Sequence, residues 1–246
     1  MSPRFETSAS PCALRPLAFG AAVLGATIGL PAQADWSTTV TAASDYLFNG
    51  VTQTGHKPAL QIGLDWSAAT GGFYGGLWAS NVDFEDDTKL EFDGAAGYLM
   101  QLHPEITLDA GVAYYTYHGD SDSSDYNYPE VYLKLGLYGF NLNAWYSYDY
   151  FGLDVGHVIL MLSKDIQIND RLSFRAQIDR STSLDVDRYA WDDNEDSYLH
   201  WQVMGNYAYS GFDFSLGVSG TDLSYSTGDT RVLFTLSRTF SLAGGA

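Results

Sequence analysis

The sequence EVYLKLGL at residues 130–137 is followed, after a two-residue turn, by FNLNAWYSYDY at residues 140–150. In both segments large apolar residues alternate with polar or small ones, which is the pattern of a strand with two unlike faces. A two-residue turn places Leu137 and Phe140 opposite each other on one face of a hairpin. Both are apolar, so the alternation keeps its phase through the turn. Each arm is about ten residues long, the length of a tilted membrane-crossing strand. The two segments therefore predict one hairpin of a closed barrel in a lipid bilayer.

The same alternation recurs along the chain and predicts about twelve strands. Short turns alternate with longer, often acidic connections, which is the asymmetry of outer-membrane barrels. An even number of strands places both termini on the short-turn side, which is periplasmic in such barrels. A soluble β-sandwich also alternates, but here the polar residues are acidic and confined to one face. The predicted strands lie near 36–49, 57–68, 72–83, 88–101, 106–118, 128–138, 140–151, 154–165, 171–182, 198–209, 212–223 and 230–240.

The composition favours the same fold class, an all-β, closed, antiparallel, up-and-down transmembrane barrel. The chain has 30 acidic against 12 basic residues, a formal net charge of −18, which argues against nucleic-acid binding because that requires a basic surface. Aromatic residues make up 15% and charged residues only 17%, unlike a disordered acidic protein. The mean hydropathy of −0.13 does not exclude a membrane barrel, because only alternate residues of such a barrel face lipid.

Residues 1–34 have the features of a secretory signal segment. An apolar run at 17–30 follows a weakly basic start, and a small-x-small motif predicts cleavage between Ala34 and Asp35. A membrane-spanning helix is the alternative, but the run is short for a span and Pro31 ends it.

Cleavage leaves residues 35–246 as a single barrel domain. It also removes Cys12, the one cysteine of the chain. The mature protein then has no thiol, which excludes disulfides, thiolate metal sites and cysteine catalysis. We predict no cofactor.

Four segments resemble a known family. They are SDYLFNGVTQT at 44–54, PALQ at 58–61, GFYGGLWASNVDF at 72–84 and YYTY at 114–117. Together they resemble the proteobacterial TorF-family porins, also catalogued as the Gcw_chp family, over essentially the whole mature chain. The resemblance implies an outer-membrane β-barrel with a channel role, and it implies no settled substrate and no functional residues. The family usually has Arg where Asn49 stands.

The end of the chain also resembles an outer-membrane barrel, whose last strand finishes on an aromatic residue that the assembly machinery reads. Phe240 takes that place, although Ser241 to Ala246 follow it. The expected partners are outer-membrane lipid and lipopolysaccharide, small solutes, and periplasmic chaperones and the barrel-assembly machinery during biogenesis.

The polar face of the strands predicts a charged lumen. A lysine or arginine facing lipid at the membrane midplane costs ~2–4 kcal/mol, so Lys134 and Arg175 are expected to face inward. The excess of carboxylates predicts weak cation selectivity, whereas the alternative is a salt-bridge network that fills the barrel. Twelve strands lie between small filled barrels and wide open ones. The candidate pore-lining residues are Asp45, Asp65, Glu91, Asp93, Asp109, Glu130, Lys134, Asp149, Arg175 and Asp179.

We therefore predict a channel for passive diffusion of small solutes and not an enzyme. The five histidines are scattered, and no nucleophile elbow or His-Glu-x-x-His motif is present. A hydrolase acting at the outer rim and a structural barrel with a plugged lumen are the alternatives. The acidic segments 120–125 and 191–196 favour solvated loops over calcium sites. The first has the early Asp-x-Asp of a calcium loop but lacks its Gly and its Glu.

Overall fold

The computed structural model describes residues 35–192 and 195–242, which form a closed barrel of twelve antiparallel strands. The first strand pairs with the last as well as with the next wall strand along the chain. Closure leaves no strand edge exposed, as a lipid environment requires. The predicted fold class is confirmed; the predicted signal segment lies outside the described residues. In chain order the strands are β1 (Asp35–Ala43), β2 (Leu47–Phe48), β3 (Val51–Thr52), β4 (Ala59–Ser67), β5 (Phe73–Asn81), β6 (Leu90–His103), β7 (Ile106–His118), β8 (Tyr128–Leu137), β9 (Phe140–Ser147), β10 (His157–Gln167), β11 (Leu172–Ser183), β12 (Ser197–Tyr209), β13 (Phe212–Thr221) and β14 (Arg231–Leu242).

The alternation along each strand separates an apolar outer face from a polar lumen. On β8, Val131 and Leu133 are 50% and 52% exposed on the outside, whereas Glu130 and Tyr132 are buried inside. The same division holds for Leu60, Leu160 and Val232 among the outward residues of other strands. An apolar outer surface of this extent is stable only against lipid, so the barrel is of the outer-membrane type.

The first predicted strand is wrong in length. β1 ends at Ala43 rather than at residue 49, and β2 and β3 form a separate two-stranded hairpin that is not part of the wall. The turn of this hairpin is Asn49-Gly50, with φ angles of 45° and 85°. Asn-Gly is the dipeptide most typical of a two-residue turn with two positive φ angles. We call the segment from β2 to β3, residues 47–52, the lumen hairpin.

Connections differ between the two ends of the barrel, as predicted. At one end the strands are joined by turns of two to five residues, and we call this end the short-turn rim. It also holds Asp35 and Leu242, the first and last described residues. The other end, the long-loop rim, holds the lumen hairpin and three 3-10 helices at Ser123–Tyr126, Tyr150–Gly152 and Ser226–Gly228. No helix in the described part of the chain is long and apolar enough to cross a membrane.

Aromatic rings and cationic side chains share the outer face near the short-turn rim. The Lys164 ammonium lies 4.0 Å from the ring centroid of Phe140. The outward rings of Phe73 and Tyr98 pack edge to face with centroids 4.6 Å apart. Such a girdle is typical of the level where lipid headgroups meet the hydrocarbon layer.

Candidate functional site

The lumen hairpin crosses the interior of the barrel. On one side, the ring centroid of Phe48 lies 6.2 Å from that of Tyr115 on β7. On the other, the Tyr198 hydroxyl on β12 donates a 3.0 Å hydrogen bond to the carbonyl oxygen of Asn49. β7 and β12 lie on opposite sides of β1 in the strand order, so the hairpin spans the lumen.

The tip of the hairpin lies directly on the inner wall. A Cβ atom at Gly50 would stand 2.5 Å from Thr221 Cγ2 and 2.6 Å from His200 Cδ2. Both distances are shorter than real Cβ contacts allow. Only a glycine therefore fits at this position, where φ is also positive.

The base of the hairpin is held by Asp45, which lies in the loop after β1. Its Oδ1 accepts hydrogen bonds from the hydroxyls of Thr52 (2.5 Å) and Thr54 (2.8 Å). Its Oδ2 lies 3.3 Å from His56 Nδ1, and Arg231 Nη2 lies 2.8 Å from His56 Nε2. Asp45 is thus buried in a polar cluster that fixes the hairpin, and its prediction as a strand residue is wrong.

A second anchor joins the loop between β3 and β4 to the loop between β5 and β6. Asp83 lies 2.5 Å from Lys57 Nζ and 3.3 Å from Lys89 Nζ. Hydrogen bonds from Lys57 first, and then from Lys89, lower the pKa of the Asp83 carboxyl from its usual value to about 2. The carboxylate stays charged at any physiological pH, so this tether does not open with modest acidification.

Aromatic side chains form a buried cluster inside the barrel toward the long-loop rim. Tyr115 and Tyr128 stack with centroids 4.5 Å apart, and Tyr150 stacks on His157 at 3.8 Å. Loop residues as well as strand residues contribute, because the loops fold inward. The buried members of this cluster are Ala113, Tyr115, Tyr117, Tyr128, Tyr132, Trp145, Tyr150, Val155, Ile159, Met161, Trp191, Tyr198 and Leu223.

Three buried carboxylates lie beside these rings. Tyr117 donates a 3.0 Å hydrogen bond to Glu91, and Tyr115 donates a 2.9 Å hydrogen bond to Glu130. Glu91 Oε2 and Asp93 Oδ1 are buried without a hydrogen-bond partner. Within the described ranges, no lysine or arginine forms an ion pair with Glu91 or Asp93. This part of the lumen therefore holds buried carboxyl groups without a cationic partner among the described residues.

The two predicted inward cations are both held by carboxylates. Arg175 makes two hydrogen bonds of 2.6 Å to Asp165, a fork-to-carboxylate pair. Lys134 Nζ lies 4.0 Å from Asp109 and 4.2 Å from the ring centroid of Tyr132. Sequence reasoning missed Asp165, although the β10–β11 register pairs it directly with Arg175.

Most of the predicted pore-lining residues lie on inward strand positions. Their role in conduction stays a prediction. Asp149 is misplaced: it lies in the loop after β9, where its Oδ1 accepts a hydrogen bond from the Asp154 N–H at 2.7 Å. The inward wall residues from that set are Asp65, Glu91, Asp93, Asp109, Glu130, Lys134, Arg175 and Asp179.

A row of Asp179, His200 and Ser219 crosses three neighbouring strands. His200 Nδ1 lies 2.7 Å from Asp179 Oδ2, and His200 Nε2 lies 2.9 Å from Ser219 Oγ. These are the bonds of a serine–histidine–aspartate relay. The sequence gives no local sign of it, because the three residues meet only through strand register. Ser219 is fully buried, and the Gly50 tip lies on His200.

The remaining predicted features lie outside the lumen. Phe240 faces outward on β14 and is 43% exposed. Asp120 Oδ1 accepts hydrogen bonds from the Asp122 and Ser123 N–H groups, so this loop carboxylate is used within its own loop. Among the described residues, no group of three or more His, Cys, Asp or Glu side chains could hold a metal ion.

Comparison with known proteins agrees with this geometry. The family model described as "Bacterial protein of unknown function (Gcw_chp)" matches residues 31–242. No curated protein matches the chain. A KdgM porin aligns with a TM-score of 0.55 at 10% identity, covering 83% of this chain and 99% of that one. A NanC porin aligns with a TM-score of 0.51 at 14% identity, covering 83% and 100%. At these identities the likeness shows the fold alone.

Proposed function

Because the chain belongs to the Gcw_chp family and has the fold of a porin, we propose that it is an outer-membrane channel for passive diffusion of small solutes. The observation that carries this proposal is the closed wall itself, apolar outside and lined inside by polar and charged side chains. In this proposal the short-turn rim and both termini are periplasmic, and the long loops face the exterior. TorF is the name that the sequence resemblance suggests for this group of porins.

The charge of the lumen supports a weak preference for cations. Lys134 and Arg175 lie against carboxylates, and Arg231 lies against His56. Glu91 and Asp93 have no such cation beside them in the described chain. A lumen whose carboxyl groups outnumber its cationic side chains favours cations over anions.

In this proposal the excess of carboxyl groups also disfavours acidic sugars as solutes. A KdgM porin is known in complex with disordered oligogalacturonate, with a TM-score of 0.53 at 8% identity over 86% of this chain and 100% of that one. An acidic oligomer is a poor solute for a lumen in which carboxyl groups outnumber cationic side chains, because like charges repel at short range. Neutral and cationic small solutes fit this interior better.

Planar-bilayer recording tests the proposal in two steps. We expect discrete channel openings from the purified protein, and their absence at any applied voltage would favour the structural barrel. In a salt gradient we expect a reversal potential with the sign of cation selectivity. Asp65→Asn should reduce it toward zero, because Asp65 is an inward carboxylate that is only partly buried. The matched control is Asp120→Asn in an exposed loop. Anion preference in the unmodified protein would refute the selectivity.

The row of Asp179, His200 and Ser219 is the observation that favours a second candidate, a hydrolase. The burial of Ser219 and the position of the hairpin tip give a substrate carbonyl no access, so the channel is the better supported function. A fluorophosphonate probe is expected to leave the folded protein unlabelled. Labelling that disappears in Ser219→Ala would establish a nucleophile and reverse this ranking.

A further inference from the structure

A groove of 470 Å³ runs over the outer face of β11 to β14. It lies where the outward position on β12 is Gly205, so the wall lacks a side chain there. A Cβ atom at Gly205 would meet Phe174 Cε1 at 3.1 Å, which shows how closely the neighbouring ring borders the gap. The outward side chains that line the groove include Leu172, Phe174, Val203, Tyr207, Leu216 and Phe234.

Two arginines mark the end of this groove at the short-turn rim. The Arg238 guanidinium carbon lies 4.9 Å from the ring centroid of Phe212 and 5.0 Å from that of Phe240. The Arg171 guanidinium carbon lies 6.0 Å from the ring centroid of Tyr209. Ring faces attract guanidinium groups and keep them at the level of lipid headgroups.

The two positive charges converge on one hairpin. Tyr209 and Phe212 face each other across the turn that joins β12 to β13. Arg171 approaches this turn from the β11 side, and Arg238 approaches it from β14. Arg171 therefore lies by the β12 side of this turn, and Arg238 lies by its β13 side.

We propose that this face binds one anionic phospholipid, with an acyl chain in the groove and the headgroup phosphate on Arg171 and Arg238. The apolar lining suits a hydrocarbon chain. A guanidinium presents N–H donors in a planar fork that matches phosphate oxygens. Arginine is therefore a stronger phosphate ligand than lysine. The site lies at the rim proposed to be periplasmic, where the outer-membrane leaflet is phospholipid rather than lipopolysaccharide. It does not depend on the channel being open.

Lys164 provides a matched comparison at the same rim. Its ammonium also lies over an outward ring, that of Phe140, and donates a 2.8 Å hydrogen bond to the Tyr138 carbonyl. Lys164 lies on β10 and its ring partner lies on β9, whereas the groove is lined by β11 to β14. A lipid held by general attraction to the rim would respond to Lys164 as much as to the arginines, whereas a lipid held in the groove would not.

Native mass spectrometry of the full mature protein, released from micelles containing equal phosphatidylglycerol and phosphatidylcholine, tests the site. We expect one phosphatidylglycerol to remain bound. Arg171→Gln with Arg238→Gln should weaken its retention roughly tenfold or more, since two charge-assisted contacts are lost. Lys164→Gln should leave retention unchanged. Gly205→Leu should displace the acyl chain, while Ala144→Leu on the outward face of β9 should not.

Several results would overturn the proposal. Equal retention of the two phospholipids, or equal loss in Lys164→Gln, would show a non-specific lipid shell. In a second experiment with lipopolysaccharide added to the micelles, preferential retention of lipopolysaccharide would refute both the ligand and the orientation of the barrel. If the double glutamine variant fails to fold, Arg171→Lys with Arg238→Lys keeps both charges and should still lower retention. Single-channel conductance of these variants should stay unchanged, which separates this site from the channel proposal.

Discussion

Two hairpins of this protein turn through the same backbone geometry but end in different surroundings. The β8–β9 turn at Tyr138-Gly139 has φ angles of 51° and 74°, and the lumen hairpin turn at Asn49-Gly50 has 45° and 85°. The first hairpin is part of the membrane wall. The second is folded into the lumen, against Tyr198 of the opposite wall.

The arms explain the difference. β8 and β9 are ten and eight residues long, and each pairs with a further strand on its other edge. The arms of the lumen hairpin are two residues each and pair only with each other. A long arm with one apolar face is held by the whole sheet. A short arm depends on side-chain contacts, so the lumen hairpin is the element expected to open at the lowest free-energy cost.

The largest effect is expected from a charge on the lipid face of the wall hairpin. Leu135→Arg should impair insertion strongly, because a lipid-facing arginine costs ~2–4 kcal/mol near the midplane. Asn143→Asp places a charge on the inner face opposite Lys134 and should insert almost normally. Both variants can be folded into lipid vesicles, and the folded fraction can be measured from the mobility of unheated samples on a gel. Equal folding of the two variants would contradict the assigned faces.

A smaller but functional effect is expected at the tip of the lumen hairpin. Gly50→Ala should push the hairpin from the wall, because the new Cβ meets Thr221 at 2.5 Å. Single-channel conductance is then expected to rise. Gly139→Ala is the matched control: it carries the same backbone strain of about 1–2 kcal/mol, but its nearest neighbour is the flexible Lys164 ammonium at 3.1 Å. Equal conductance in both variants would mean that the hairpin does not restrict the pore.

A weaker perturbation removes one hydrogen bond from the hairpin. Tyr198→Phe loses the hydroxyl that donates to Asn49, a bond worth about 0.5–1.5 kcal/mol. Amide hydrogen exchange in residues 47–52 should accelerate, while the amides of β8 and β9 stay protected. Tyr146→Phe, an outward tyrosine on β9, serves as the control. If exchange in the hairpin were unchanged, this contact would not hold it.

The smallest effect concerns pH. The lysine partners lower the pKa of Asp83 to about 2, so the carboxylate contributes stability that is present above its usual pKa and is lost as pH falls toward 2. Channel conductance should therefore stay constant from neutral pH to about 5 as far as this tether is concerned. Asp83→Asn should loosen the β5–β6 loop slightly at all these pH values. Amide hydrogen exchange of the loop measures this change. If the exchange rate of this loop in the variant changed between pH 5 and 7, another titrating group would control the loop.

The strands of the barrel wall could be predicted from the sequence because each depends on the local alternation of apolar and polar residues. Strand period, turn dipeptides and the cost of charge in lipid act on each hairpin separately, so the alternation at residues 130–150 already indicates which side chains face oil. The exception is instructive. The Asn49-Gly50 pair also marks a turn, but its flanking arms are too short for alternation to show where they go.

The alternating pattern alone predicts which wall residues face lipid and which face the lumen, because that choice repeats every two residues and has a large energetic cost when it is wrong. Asp45 and Asp149 are the exceptions, since both lie in loops. Which inward residues meet depends on how the strands pair around the closed barrel. Arg175 finds Asp165, and His200 finds Asp179, through the register between strands and not through any local spacing. The lumen hairpin depends on contacts between Asn49 and a tyrosine 149 residues away. Those contacts exist only after the barrel has closed, since closure is what brings distant strands around one interior.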